Sequence, residues 1–201
     1  MERKKFYRRD LPHFLPNDEP YFVTFRLADT LPRAVIEERA RRALKEHDGM
    51  TFTQLDGYLG QGHGPLWLKE PAIAEIVKEA LHYRDGKEYL LHAYTIMPNH
   101  VHMVITLGNQ LNLFEVLQSL KSHTARQCNI ILVRSGTFWQ HESYDHVIRD
   151  GEFGRIVFYI LRNPVKAGLV KTFREWPYYY VSPELNGFDE TESEQSHLSP
   201  L

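Results

Sequence analysis

With 201 residues, 42% apolar content and aromatic side chains spread along most of its length, the chain can bury one sizeable core, and a single domain is expected. The single cysteine, Cys128, excludes an internal disulfide framework and a zinc site built from several thiolates; it suits a reducing cytosolic compartment and reads as helix packing. No run approaches membrane-spanning length and no apolar stretch follows the charged first residues, so a cytoplasmic protein without a signal peptide is expected.

The formal charge of −2 hides an asymmetry. The first nine residues carry five basic groups, Arg3, Lys4, Lys5, Arg8 and Arg9, against one Glu, while the segment beyond Val181 holds five acidic residues and no Lys or Arg, which leaves residues 1–181 at +3. Three regions are expected: a basic arm over 1–19, a folded domain over 20–181, and a flexible acidic tail over 182–201 whose polar composition cannot offset the entropy of ordering.

Within the domain, the aromatic and β-branched run Tyr21–Leu27 predicts a strand. A Glu/Arg-rich helical segment from Pro32 to about His47 follows, then a Gly-rich stretch from Asp56 to Pro65, then a helix after Pro71 with Ile73, Ile76, Val77, Ala80 and Leu81 on one face. Leu90–Met97 and Val101–Leu107 flank Pro98-Asn99 and predict a hairpin. A helix from about Leu113 to Leu132, an edge strand over Phe138–Ile148 and a last helix over 151–162, capped by Asp150 and stopped at Asn163-Pro164, complete the pattern. The order predicts an α+β, ferredoxin-like (split βαβ) fold: a four-stranded antiparallel sheet with its main helices on one face and the C-terminal helix covering the other.

In the hairpin, period-2 alternation puts His100 and His102 on one face of their strand and Val101, Met103, Ile105 and Leu107 on the other. Two imidazoles so placed can hold one divalent ion, although on spacing alone they read more readily as polar-face residues. Tyr159 and Asn163 stand four apart on one face of the last helix, above Ile156, Val157 and Ile160, so a helix crossing the open sheet face brings a phenol and an amide beside the imidazoles. Alternation separates His141 and Asp145 from His146, which argues against a second cluster there. Trp176 and Tyr178–Tyr180 read as an aromatic group closing a core rather than a base-stacking platform.

The chain resembles the single-tyrosine HUH transposases, and among them the REP-associated tyrosine transposases, over most of residues 20–175. The resemblance rests on three blocks: Met97-Pro98-Asn99-His100-Val101-His102-Met103-Val104-Ile105; Phe138-Trp139-Gln140 leading to Tyr144–Asp150; and Tyr159-Ile160-Leu161-Arg162-Asn163-Pro164-Val165-Lys166-Ala167-Gly168. Leu55-Asp56-Gly57, the run Gly62–Leu68 and Leu120–Thr124 also look like one branch of that family. Leu161 and His123 depart from its pattern, where another polar residue and an aromatic are usual.

The resemblance implies a metal-dependent single-strand DNA endonuclease and strand-transferase acting on hairpin DNA, with Tyr159 as nucleophile and a 5′-phosphotyrosine intermediate. His100, His102 and Asn163 are then the ligands of Mg²⁺ or Mn²⁺, and no small-molecule cofactor or membrane partner is expected. Arg3, Lys4, Lys5, Arg8, Arg9, Lys121, Arg126 and Lys166 are the candidate DNA contacts, and a monomer is expected. The alternative is a hairpin-binding relative that no longer cuts. The base that activates the phenol is not legible.

Overall fold

The computed structural model describes residues 5–8, 12–15, 19–32, 34–37 and 52–185. Strands β1 (Lys5–Arg8) and β2 (Pro12–Leu15) pair antiparallel as a separate two-stranded ribbon within the expected basic arm. Of the helical segment expected from Pro32 to His47, residues 34–37 are helical and the remainder lies outside the described residues. Most of the acidic tail, residues 186–201, also lies outside them.

The main sheet contains β3 (Pro20–Arg26), β4 (Tyr89–Ile96), β5 (His100–Leu107), β6 (Tyr144–Val147) and β7 (Tyr179–Val181), in the antiparallel order β6-β3-β5-β4-β7. Its helices are α1 (Phe52–Gly60), α2 (Pro71–Arg84), α3 (Leu113–Ile131), α4 (Phe153–Leu161) and α5 (Asn163–Lys166). The α+β plan is as the sequence predicts, with one strand more. Tyr179–Val181 pairs with Ala93–Thr95 and covers an edge of β4 that would otherwise leave backbone groups unpaired.

Alternation along β3 and β5 divides the interior in two. Tyr21, Val23 and Phe25, with Val101, Met103 and Ile105, pack against Ile73, Val77 and Leu81 of α2 and Leu113, Leu117 and Leu120 of α3. Phe22, Ala93 and Val104 face the other way and meet Ile156, Val157, Ile160 and Leu161 of α4, so the last helix covers the open face. Cys128 is buried in the α3 layer. No helix among the described residues is long and apolar enough to cross a membrane.

Three local expectations are corrected. The edge strand is confined to Tyr144–Val147: Trp139 bridges Leu27 and Tyr144 pairs with Thr24, so four residues, 140–143, stand opposite two, 25 and 26, and the excess bulges out of the ladder. The Gly-rich stretch begins inside α1, where Gly57 and Gly60 are helical despite costing about 1 kcal/mol each relative to Ala. Glu152, not Asp150, precedes α4 at the cap position; its Oε2 accepts the Arg149 backbone N–H at 2.9 Å rather than one from the first turn of the helix.

Candidate metal centre and nucleophile

On the α4 face of β5, His100 lies across from Arg26 and His102 across from Thr24. Both imidazoles are closed off from solvent, at 1% and 0% exposure, so each polar nitrogen needs a partner. His100 Nδ1 is 2.6 Å from Asn99 Oδ1, and His102 Nδ1 is 2.7 Å from Thr24 Oγ1. Asn99 is oriented in turn by its Nδ2, which donates to the Leu59 carbonyl at 3.0 Å. With Nδ1 donating to Asn99, His100 keeps the Nε2 lone pair for a ligand, the arrangement by which an outer partner fixes the tautomer of a metal-binding histidine.

Both Nε2 atoms turn toward one carboxylate. Asp56 Oδ1 is 3.0 Å from His102 Nε2 and 3.6 Å from His100 Nε2, and the two Nε2 atoms are 2.9 Å apart. An ion held at about 2.1 Å by two adjacent octahedral ligands separates their atoms by about 3 Å, so this spacing suits a small divalent cation. Two imidazoles and one carboxylate supply the mixed nitrogen and oxygen donor set such an ion accepts. Among the described residues Asp56, His100 and His102 are the one group of this kind.

Charge follows position. Burial pushes the His100 imidazole down to about 3, with His102 adding to the effect and Asp56 opposing it, so the ring is neutral at physiological pH. Burial alone would raise the Asp56 carboxyl, but His102 by charge and hydrogen bond, His100 by charge and Tyr159 by hydrogen bond outweigh it. The carboxyl is held well below the usual carboxylate range and is ionised.

Tyr159, on α4, donates its hydroxyl to Asp56 Oδ2. Burial, then the charge and hydrogen bond of Asp56, raise the phenol well above its ordinary pKa of 10.0, while the nearby Asn163 amide acts against them. The resting phenol is therefore protonated. Lys166 is exposed overall, but its ammonium lies 3.6 Å from the centroid of the Tyr159 ring. Burial there lowers its pKa, Asp56 opposes that and Arg162 adds to it.

The sequence-predicted residues are thus partly brought together. His100, His102 and Tyr159 meet, and Lys166 joins them. Asn163 is 5% exposed and heads α5 beside the phenol, while the third donor group next to the imidazoles is Asp56. Lys121 and Arg126 sit on α3, across the sheet; the Lys121 ammonium donates to the His141 carbonyl at 2.8 Å and the Ser143 hydroxyl at 3.2 Å, tying down the 140–143 bulge. Lys5 and Arg8 fall in β1, and Arg3, Lys4 and Arg9 lie outside the described residues. His146 pairs with Glu152 at 3.2 Å, apart from Asp145, as alternation predicts, while His141 lies in the bulge and not on the strand.

Asp56 was missed as a site residue. It stands 46 residues before His102, on a different element, and no periodicity connects the two. The one signal for it in the sequence is the Leu55-Asp56-Gly57 block, which carries part of the family resemblance.

Residues 67–162 match the family model described as transposase IS200 like. A Haemophilus influenzae protein of the REP-associated tyrosine transposase group is 30% identical over 97 residues, 43% of this chain and 55% of that protein. The Escherichia coli REP-associated tyrosine transposase is 28% identical over 97 residues, 47% of this chain and 56% of that protein, so each match spans about half of the relative's length. A solved structure of a REP-associated tyrosine transposase bound to a REP hairpin superposes with a TM-score of 0.53 at 19% identity, covering 86% of this chain and 80% of that one, a likeness of fold. Over residues 67–162 the chain is similar to the IS200-like transposases, and it is similar to the REP-associated tyrosine transposases among them.

Proposed function

We propose that this protein cuts and rejoins single-stranded DNA at hairpins, with Tyr159 as nucleophile and a divalent ion, Mg²⁺ or Mn²⁺, held by Asp56, His100 and His102. The observation that carries this reading is that the Tyr159 hydroxyl and both imidazoles converge on one carboxylate. The solved relative bound to a REP hairpin supports hairpin DNA as the substrate class. A monomer in which Tyr159 serves its own chain's cluster is part of this reading.

Bound there, the ion supplies Lewis acidity toward a phosphate oxygen. The chain supplies the rest. Tyr159 Oη attacks phosphorus, an O–P bond forms and the P–O3′ bond breaks, which leaves a 5′-phosphotyrosine and a 3′-hydroxyl that departs with a proton. Asp56 Oδ2 is the acceptor that faces the phenolic proton, and the Lys166 ammonium over the ring offsets negative charge on the phenol oxygen. Because the ester is stored, attack by another 3′-hydroxyl reverses the step without ATP. Asn163, beside the phenol, is assigned to orienting Tyr159, and Arg3, Lys4, Lys5, Arg8, Arg9, Lys121 and Arg126 to contacts with the DNA backbone outside the site.

The test is a denaturing gel with labelled hairpin DNA and Mn²⁺. Wild type is expected to give a covalent protein–DNA adduct; Tyr159→Phe should give none while hairpin binding survives, and the His100→Ala/His102→Ala double variant should lose cleavage together with its ion dependence. Hairpin binding by wild type with no cleavage would assign a binding-only relative, and cleaved strands without an adduct would assign a hydrolase.

A further inference from the structure

Asp56 divides its two oxygens between the two halves of the site. Oδ1 lies 3.0 Å from His102 Nε2 and 3.6 Å from His100 Nε2, whereas Oδ2 accepts the Tyr159 hydroxyl. The carboxylate is anchored through its helix: Asn99 Nδ2 holds the carbonyl of Leu59, one turn further along α1, and Leu59 is sealed in a small apolar cluster with Leu31 and Val35. The phenol is steadied separately, by the Lys166 ammonium over its ring and by the buried α4 residues Ile156 and Ile160 around it. Neither partner is free to drift, so one side chain joins them through opposite oxygens.

We propose that Asp56 is the positioning residue for Tyr159, and that divalent-ion binding at the histidine pair and placement of the phenol are coupled through its one carboxylate. This rests on Asp56, His100 and His102 being the ion's ligands. A cation at Oδ1 withdraws charge from the carboxylate and weakens Oδ2 as an acceptor. Conversely, a phenol donating to Oδ2 reduces the charge that Oδ1 offers a cation. Linkage requires the two effects to be equal: the ion loosens the phenol by the same factor by which the phenol weakens the ion. The consequence is that loading the cluster loosens, without breaking, the hydrogen bond from the hydroxyl to Oδ2, the oxygen that faces the phenolic proton.

The experiment uses the DNA-free full chain carrying tyrosine labelled with carbon-13 at Cζ. Mg²⁺ is titrated, ion uptake is measured calorimetrically, and the Tyr159 resonance is identified by its loss in Tyr159→Phe. The expected result is a Tyr159 signal that moves along the same curve as ion uptake in wild type and stays still in Asp56→Asn. In parallel, Mn²⁺ affinity measured by electron paramagnetic resonance should be about fivefold tighter in Tyr159→Phe than in wild type, at the lower end of ordinary coupling between sites. That arm leaves Asp56 unchanged, so it stands even where Asp56 variants fold poorly. Ion uptake with a stationary Tyr159 signal and equal Mn²⁺ affinities would overturn the coupling and leave the ligand assignment standing. No ion uptake by wild type would remove the ligand assignment, and the coupling with it.

Discussion

Replacing Asn99 by Ala should damage both the fold and the ion site, although Asn99 is not itself among the ligands. Its amide is 1% exposed and serves two buried groups: Oδ1 lies 2.6 Å from His100 Nδ1, and Nδ2 donates to the Leu59 carbonyl at 3.0 Å. Truncation leaves a ring nitrogen and a carbonyl unpaired, each at about 1–3 kcal/mol, so after partial relaxation a loss of about 3 kcal/mol is expected. In urea that loss lowers the unfolding midpoint by about 1–1.5 M at an ordinary denaturant slope. Mn²⁺ affinity should fall about 10- to 100-fold, the usual cost of removing the partner that orients a ligating histidine. Asn99→Asp separates the two effects, because it keeps an acceptor for His100 and loses the donor to Leu59; its stability should fall while its ion affinity stays nearer wild type. A midpoint within about 0.2 M of wild type, together with unchanged Mn²⁺ binding in Asn99→Ala, would refute the reasoning.

Two further outcomes follow from the same coordinates. His100 titrates near 3 in the fold, against 6.5 for an ordinary histidine, so between those values the unfolded chain binds more protons and stability is lost as pH falls. Asp56, also depressed, acts with the same sign below the ordinary carboxylate range. Urea midpoints from pH 7 to 4 should therefore decline, with a His100 contribution of at most about 1.4 kcal/mol per pH unit, and His100→Ala should flatten the slope; an equal slope in that variant would count against it. Gly64 has φ +73°, and a Cβ there would come within 2.1 Å of the Asp29 carbonyl oxygen, whereas Gly62, at φ +71°, faces open space. Gly64→Ala should cost at least about 2 kcal/mol in thermal unfolding and Gly62→Ala only about 1 kcal/mol, and equal costs would show that the close approach is not limiting.

Period 2 made much of the fold legible: it assigned His100, His102 and Val104 to one face and Val101, Met103 and Ile105 to the other, and required a cover for the first face, which α4 supplies through Ile156, Val157 and Ile160. The fifth strand was hidden because Tyr179–Val181 is three residues long and its aromatic rings read equally well as a core plug. They are both, since Tyr180 stacks on Tyr94 from within the ladder. The bulge at 140–143 depends on where β3 ends, a tertiary fact, so sequence pattern alone extends the edge strand past its true start at Tyr144. Asp56 was illegible for a different reason. Glycines at 57 and 60 made its helix look like a loop, and its partners lie on two other elements brought near by packing alone.

Mass-spectrometric mapping of the peptide that carries DNA, after wild-type protein reacts with hairpin substrate and Mn²⁺ and is digested with protease and nuclease, tests the central assignment most directly. Nucleotide attached through its 5′-phosphate to Tyr159 is the predicted result. Attachment to any other residue, or cleaved strands with no modified peptide, would contradict it.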